Sequence, residues 1–170
     1  MDNDGIRDVV AAAPFWNVCP ANLIWAHTSV ISGANGGTIV IAPNLIAGGG
    51  GQSLGNAGLV ASDDTNGDGI EDIVVGHINS TRFEIYSGSN GSLLSSVTYS
   101  PQSVSPTVFY SGRDIAPMGD RNGDGFGDYV VTAPGVSRPG HPYVGQVMIW
   151  SGGTNTLLAA VDGAIDYGVL

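Results

Sequence analysis

The sequence predicts an all-β chain built from repeated, four-stranded antiparallel units. Three observations lead there. One acidic loop occurs three times, as Asp2-Asn3-Asp4-Gly5-Ile6-Arg7-Asp8, as Asp64-Thr65-Asn66-Gly67-Asp68-Gly69-Ile70-Glu71-Asp72, and as Asp120-Arg121-Asn122-Gly123-Asp124-Gly125-Phe126-Gly127-Asp128. A Ser-Gly turn between apolar runs follows each copy. Glycine makes up 27 of 170 residues, well above the usual ~7 %, and no stretch shows the periodicity of an amphipathic helix.

The elements follow in order from these signals. Asp4, Asp68 and Asp124 are equivalent and lie 64 and 56 residues apart, so one unit spans about sixty residues. After each loop comes a short β-branched or aromatic run: Val9-Val10, Ile73-Val74-Val75 and Tyr129-Val130-Val131. Such runs read as buried strands. A connection then leads to a hairpin: Val30-Ile31-Ser32-Gly33-Ala34-Asn35-Gly36, Ile85-Tyr86-Ser87-Gly88-Ser89-Asn90-Gly91 and Ile149-Trp150-Ser151-Gly152-Gly153-Thr154-Asn155. Gly and Asn tolerate the positive φ of tight hairpin turns. A second apolar strand closes the hairpin, as in Ser92-Leu93-Leu94 and Thr156-Leu157-Leu158. With one strand ahead of the loop, the unit holds four strands, which is a propeller blade.

The loop spacing predicts calcium. Oxygen-bearing side chains stand at loop positions 1, 3, 5 and 9, with Gly at position 6 for the sharp reversal. Calcium takes about six to eight oxygens in forgiving geometry. The second loop offers Asp64, Asn66, Asp68, the Ile70 carbonyl and Asp72; the third offers Asp120, Asn122, Asp124, the Phe126 carbonyl and Asp128. The first offers Asp2, Asp4, the Ile6 carbonyl and Asp8, without a position-1 ligand. No Cys or His lies in any copy, which disfavours zinc and softer metals. Magnesium, with stricter octahedral demands, suits the loop less. An EF-hand would need Glu at position 12 and flanking helices, yet Val75 and Val131 stand there, inside strands.

The whole pattern resembles the FG-GAP repeat of integrin α-chain propellers and their bacterial relatives. The residues that carry the resemblance are Ser111-Gly112-Arg113-Asp114-Ile115-Ala116-Pro117-Met118-Gly119-Asp120, followed by Asp128-Tyr129-Val130-Val131-Thr132-Ala133-Pro134-Gly135. Asp8 to Pro14 repeats the second part. The second copy departs more: Leu54-Gly55 stands one residue too far upstream, Asp63 replaces a Gly, and Val75-Gly76-His77 lacks the Ala-Pro. The resemblance implies a propeller segment divided as 1–53 (partial blade), 54–109, 110–166 (blades) and 167–170 (start of another, from Asp166-Tyr167-Gly168). That is two whole blades and two partial ones, so the expectation is a piece of a longer propeller completed by further blades. It implies structural calcium, an extracellular, periplasmic or cell-surface location, and a role in binding or adhesion. An accessory propeller of a secreted hydrolase or phospholipase is the alternative. It also implies a partner surface on the face opposite the acidic loops, where the connections Pro14–His27 and Pro134–Tyr143 run. Trp16, Trp25, Arg138, His141 and Tyr143 are the candidate partner-binding residues there, of types enriched at interfaces. The ligand would be a protein or a carbohydrate.

Composition narrows the functions further. Net charge is −10, with no lysine and five arginines, and ten of the fifteen acidic residues sit in the three loops. Such a surface is a poor match for nucleic acid or anionic membranes. No run is long enough to span a bilayer. Cys19 is the sole cysteine, so no internal disulfide forms. Gly51-Gln52-Ser53-Leu54-Gly55 matches a nucleophile-elbow pattern but lacks the strand and helix that the elbow requires. His27, His77 and His141 have no metal-ligand spacing. No catalytic residues and no enzymatic activity are expected.

Overall fold

The computed structural model describes residues 1–18, 23–42, 59–61, 63–77, 81–99 and 114–163. Cys19, the Gly51–Gly55 motif, Ser111–Arg113 and Asp166–Leu170 fall outside these residues, as do the expected unit boundaries and the side chains of Trp16 and Trp25. The described chain is all β. Its strands are β1 (Val9–Val18), β2 (Leu23–Ile31), β3 (Thr38–Ala42), β4 (Leu59–Ala61), β5 (Ile73–Gly76), β6 (Arg82–Tyr86), β7 (Leu93–Thr98), β8 (Ile115–Gly119), β9 (Asp128–Ala133), β10 (Gln146–Trp150) and β11 (Leu157–Asp162). They form three antiparallel meanders in sequence order: β1-β2-β3, β4-β5-β6-β7 and β8-β9-β10-β11. Among the described residues, no helix is long and apolar enough to cross a membrane.

Each acidic loop enters the strand that follows it, β1, β5 or β9, and each Ser-Gly turn closes the last hairpin of its sheet. The three hairpins share their detail. Ser32, Ser87 and Ser151 donate their N–H to the carbonyls of Gly37, Ser92 and Thr156 at 2.8–2.9 Å. Their own carbonyls accept from Gly36, Gly91 and Asn155, also at 2.8–2.9 Å. Those three residues have φ of 71°, 74° and 55°, the left-handed region that only Gly and Asn enter readily. The register also slips at the same place, between Val30 and Ile31, Ile85 and Tyr86, and Ile149 and Trp150.

The Pro14–His27 segment is not the loop connection that the sequence predicts. β1 and β2 extend through it as a long hairpin, with Trp16 opposite Trp25 and Val18 opposite Leu23. A bulge between Ala13 and Trp16 takes Pro14 out of the ladder, which is how a residue without an N–H fits into a paired strand.

The middle sheet is covered on both faces. Alternation along β5 and β6 sends Ile73, Val75 and Tyr86 to one side, where they pack with Met1 and Val30. Val74, Phe83 and Ile85, joined by Val97 and Tyr99, face the other way and meet Tyr129, Val131, Met148 and Trp150 of the third sheet. Phe83 anchors that interface, with edge-on contacts to Tyr129 at 5.4 Å and Trp150 at 5.3 Å between ring centroids. Burying such a side chain contributes about 1.5–3 kcal/mol. The far side of the third sheet is open: Val147 is 45 % and Val161 65 % exposed.

Candidate metal centre

In the second loop the Asp64 carboxylate sits inside the turn. Its Oδ1 accepts from Gly67 at 2.6 Å and from Asn66 and Asp68 at 3.2 Å, and its Oδ2 accepts from Gly69 at 2.7 Å. Partial burial pushes this carboxyl up, but the N–H groups of Gly69, Gly67, Asn66 and Asp68 outweigh it and hold the group below its ordinary value. Gly67 and Gly69 have φ of 80° and 83°, so the turn needs both glycines. Asn66 Oδ1 accepts from Asp68 N at 2.8 Å, and Asp68 Oδ1 accepts from Ile70 N at 2.9 Å. In these turns each side chain accepts from the backbone N–H two residues on.

The third loop repeats the arrangement. Asp120 accepts from Gly123 at 2.6 Å and Gly125 at 2.9 Å, Asn122 from Asp124 at 3.0 Å, and Asp124 from Phe126 at 2.9 Å. The Asn122 amide lies beside Asp124, 2.8 Å away, and is the main cause holding that carboxyl below its ordinary value. In the first loop, Asp2 accepts from Asp4 at 3.3 Å and Asp4 from Ile6 at 2.8 Å, and both stay exposed.

The last Asp of each loop ties it to the hairpin of its own sheet. Asp8, Asp72 and Asp128 accept the N–H of Gly33, Gly88 and Gly152 through Oδ1 at 3.1–3.2 Å. Their Oδ2 atoms accept from the start of the loop: Asp2 N at 3.1 Å, Thr65 N at 3.0 Å and Arg121 N at 2.7 Å. Asp72 and Asp128 are fully buried. Burial pushes the Asp72 carboxyl above its ordinary value, opposed by the Thr65 hydroxyl and the Gly88 and Thr65 N–H groups, while the charge of Asp68 adds to the rise.

The glycines are sterically required. A Cβ on Gly33, Gly88 or Gly152 would fall 2.0, 1.8 or 1.9 Å from the carbonyl oxygen of Arg7, Glu71 or Gly127. The hairpin serines and their neighbours also reach the loop: Ser89 Oγ lies 3.3 Å from Asp68 Oδ2, and Ser151 Oγ 3.1 Å from Asp124 Oδ2. Sequence reasoning missed these groups. The available signal was that the Ser-Gly turn recurs whenever the loop does.

Loops of neighbouring sheets touch. Gly127 N donates to the Asp64 carbonyl at 2.9 Å, and Gly119 N to Asp63 Oδ2 at 2.8 Å. Asp63 thus braces the next sheet. A Cβ on Gly67 would meet the edge of the Phe126 ring at 3.1 Å. Residues of the first and second loops line one shared cleft.

The donor set fits a hard cation. Asn66 Nδ2 lies between two carboxylates, 3.2 Å from Asp68 Oδ2 and 3.3 Å from Asp72 Oδ1. The amide nitrogen, a positively polarised group, thus lies beside both carboxylates. All the candidate side-chain ligands are oxygen-bearing, and a cation would offset the charge of buried Asp72. No three Asp, Glu, His or Cys side chains among the described residues gather into a metal-holding group.

The candidate partner residues divide. Arg138 and His141 form a two-residue bridge around Pro139-Gly140, with reciprocal backbone bonds of 2.9 Å. His141 is exposed. Tyr143 is 62 % exposed at φ 56°, a conformation bulky residues seldom adopt. Its N–H is held by Ser137 Oγ at 3.0 Å. Arg138 instead folds back onto Asp162. No protein family and no curated protein matches this chain.

Proposed function

We propose that this chain is a calcium-stabilised binding module, a segment of a β-propeller of FG-GAP type whose loops hold structural calcium at the edge of each blade. The observation that carries the reading is the repeated loop: the same side-chain turns hold Asp64 and Asn66, and Asp120 and Asn122, against loop N–H groups, while Asp72 and Asp128 fix each loop to its hairpin. Calcium held there by these residues, with the Ile70 and Phe126 carbonyls, would neutralise charge that otherwise repels itself. The regular relation between sheets supports the propeller reading, since β4 lies against both β1 and β8. Binding at the cell surface or outside the cell matches millimolar calcium there, to which loops of this kind can be tuned.

The test is calorimetric calcium titration with thermal melts, on the chain and on Asp68→Ala/Asp124→Ala. Expected are two sites of similar affinity and an upward shift in Tm, with both effects lost in the double variant. A folded chain with no calcium response would reduce the loops to turns.

A further inference from the structure

The three sheets pack on one another through one kind of junction, in which corresponding residues take corresponding places. Aligning Asp8, Asp72 and Asp128, and Ser32, Ser87 and Ser151, makes the cross-strand pairs Val9–Ile31, Ile73–Tyr86 and Tyr129–Trp150 equivalent. They mark the front of each sheet. Ile73 and Tyr86 are buried against the first sheet, and Tyr129 and Trp150 against the second. Val9 is instead 55 % exposed. On the back, Phe83 pairs with Val97, and Val147 with Val161. Phe83 and Val97 are buried against the third sheet. Val147 and Val161 are 45 % and 65 % exposed. Among the described residues, the stack thus carries one uncovered front, on the first sheet, and one uncovered back, on the third.

We propose that these two faces bind each other between two copies of this chain, the third sheet of one against the first sheet of the other, in a closed head-to-tail pair. The back of the third sheet needs a partner with a front of the kind described, and the chain itself carries one. Val147 stands where Phe83 does, and the Phe83 ring lies 5.4 Å from Tyr129 and 5.3 Å from Trp150. Their counterparts on the first sheet are Val9 and Ile31, so the new contact is aliphatic on both sides. The loops match as well. Phe126 of the third loop reaches Gly67 of the second. Its counterpart Ile6 is 54 % exposed, and Gly123, the counterpart of Gly67, has open space where a Cβ would stand. Asp63 fills the place where Gly127 lacks a side chain. In the proposed junction Arg7 stands for Gly127 and Gly119 for Asp63, so the side chain and the space for it exchange sides. Two copies bring six sheets, within the about four to eight blades of closed propellers. A head-to-tail contact that closes on itself leaves no face uncovered. The inference rests on the propeller part of the proposed reading and names the partner.

The experiment is sedimentation velocity of the full chain over a series of micromolar concentrations, with the variants Val147→Asp and Val9→Lys. Both replace exposed side chains, and far-UV circular dichroism checks that each variant keeps its strands. Val161→Asp, on the same face, takes the place of Val147→Asp if that chain loses them. The wild type is expected at twice the chain mass at the upper concentrations. Each variant alone should be monomeric there, its Kd raised at least about tenfold by a charge set into an apolar junction. An equimolar mixture of the two should regain the dimer, because one of its junctions is unaltered and the other sets opposite charges against each other. A wild type that is monomeric at every concentration overturns the proposal. So does a Val9→Lys chain that dimerises like the wild type, since the back would then pair with itself. A mixture that stays monomeric refutes head-to-tail pairing, and open chains of rising mass refute closure. Each run is made with calcium and with chelator. A dimer with no calcium response in Tm would strike the metal reading alone; calcium stabilisation of a chain that is always monomeric would strike this inference alone.

Discussion

At the scale of single residues, the structure singles out glycines that sequence reading treats as turn formers. Gly88 has no room for a Cβ, which would lie 1.8 Å from the Glu71 carbonyl, and its N–H also serves Asp72. Gly88→Ala must push the hairpin off the loop and break that bond. The expected loss is about 3 kcal/mol, combining overpacking with a lost hydrogen bond to a charged group. Gly123 is the control: its Cβ would meet nothing within 4 Å, but φ is 80°, so Ala there costs only backbone strain of about 1–2 kcal/mol. Urea melts in chelator separate the two, and equal losses would refute the loop–hairpin lock. A second residue-scale prediction concerns Glu84, which is buried between His77 Nε2 at 3.0 Å and the Tyr86 hydroxyl at 2.7 Å, with Arg82 at 3.1 Å. Burial pushes its carboxyl up, but the His77 and Tyr86 hydrogen bonds and the charges of His77 and Arg82 prevail, and the group titrates below its ordinary 4.5. A depressed carboxyl contributes stability that is complete above the unfolded value and disappears as pH falls through the folded one. The stability difference between the wild type and Glu84→Gln should therefore be about 1.5–3 kcal/mol at neutral pH and shrink below about pH 4.5. A difference that stays constant across that acid range would refute the assignment.

At the scale of elements, the hairpins show what sequence reading captures. Strands after each loop, and the turns at Gly36, Gly91 and Asn155, were legible because β-branched runs and positive-φ residues are local signals. The long β1–β2 hairpin was not legible, since Pro14 reads as a breaker until a bulge accommodates it. The double role of Asp72 was hidden for another reason: its partner is the backbone N–H of Gly88, and an N–H leaves no mark on residue identity. Asn155 is where the two kinds of signal meet. It occupies φ 55°, where its counterparts are glycines, yet its Oδ1 accepts from the hydroxyl of fully buried Tyr129 at 3.1 Å. Asn155→Gly relieves the backbone but leaves that hydroxyl without this partner, for an expected net cost of about 1 kcal/mol. In a Tyr129→Phe background the same change should be neutral or slightly stabilising, giving a coupling of about 1 kcal/mol in a double-mutant cycle. Zero coupling would mean that Asn155 serves the turn alone.

At the scale of the whole molecule, charge placement governs. Ten of fifteen acidic residues lie in the three loops, and the loops form one continuous edge because the second contacts the third and shares a cleft with the first. Only Arg7 and Arg121 bring positive charge into them. Without a divalent cation this edge repels itself, so sodium chloride should stabilise the chelated chain by screening, since the Debye length falls to about 8 Å at physiological ionic strength. A gain near 1 kcal/mol would raise Tm by roughly 2–4 °C for a chain of this size. Calcium should do more at equal ionic strength: at about a hundred times Kd each site contributes about 2.7 kcal/mol, or roughly 5–10 °C. Glu71 separates general repulsion from ligation. It is exposed and stands outside the proposed ligand set, so Glu71→Gln removes one charge and leaves every ligand in place. That variant should be slightly more stable than the wild type in chelator, less responsive to sodium chloride, and unchanged in its count of calcium sites. If calcium and sodium chloride at equal ionic strength instead raise Tm equally, and Glu71→Gln weakens both responses alike, the loops act as a charged edge that any counterion relieves. The oxygen-lined turns would then have no cation of their own.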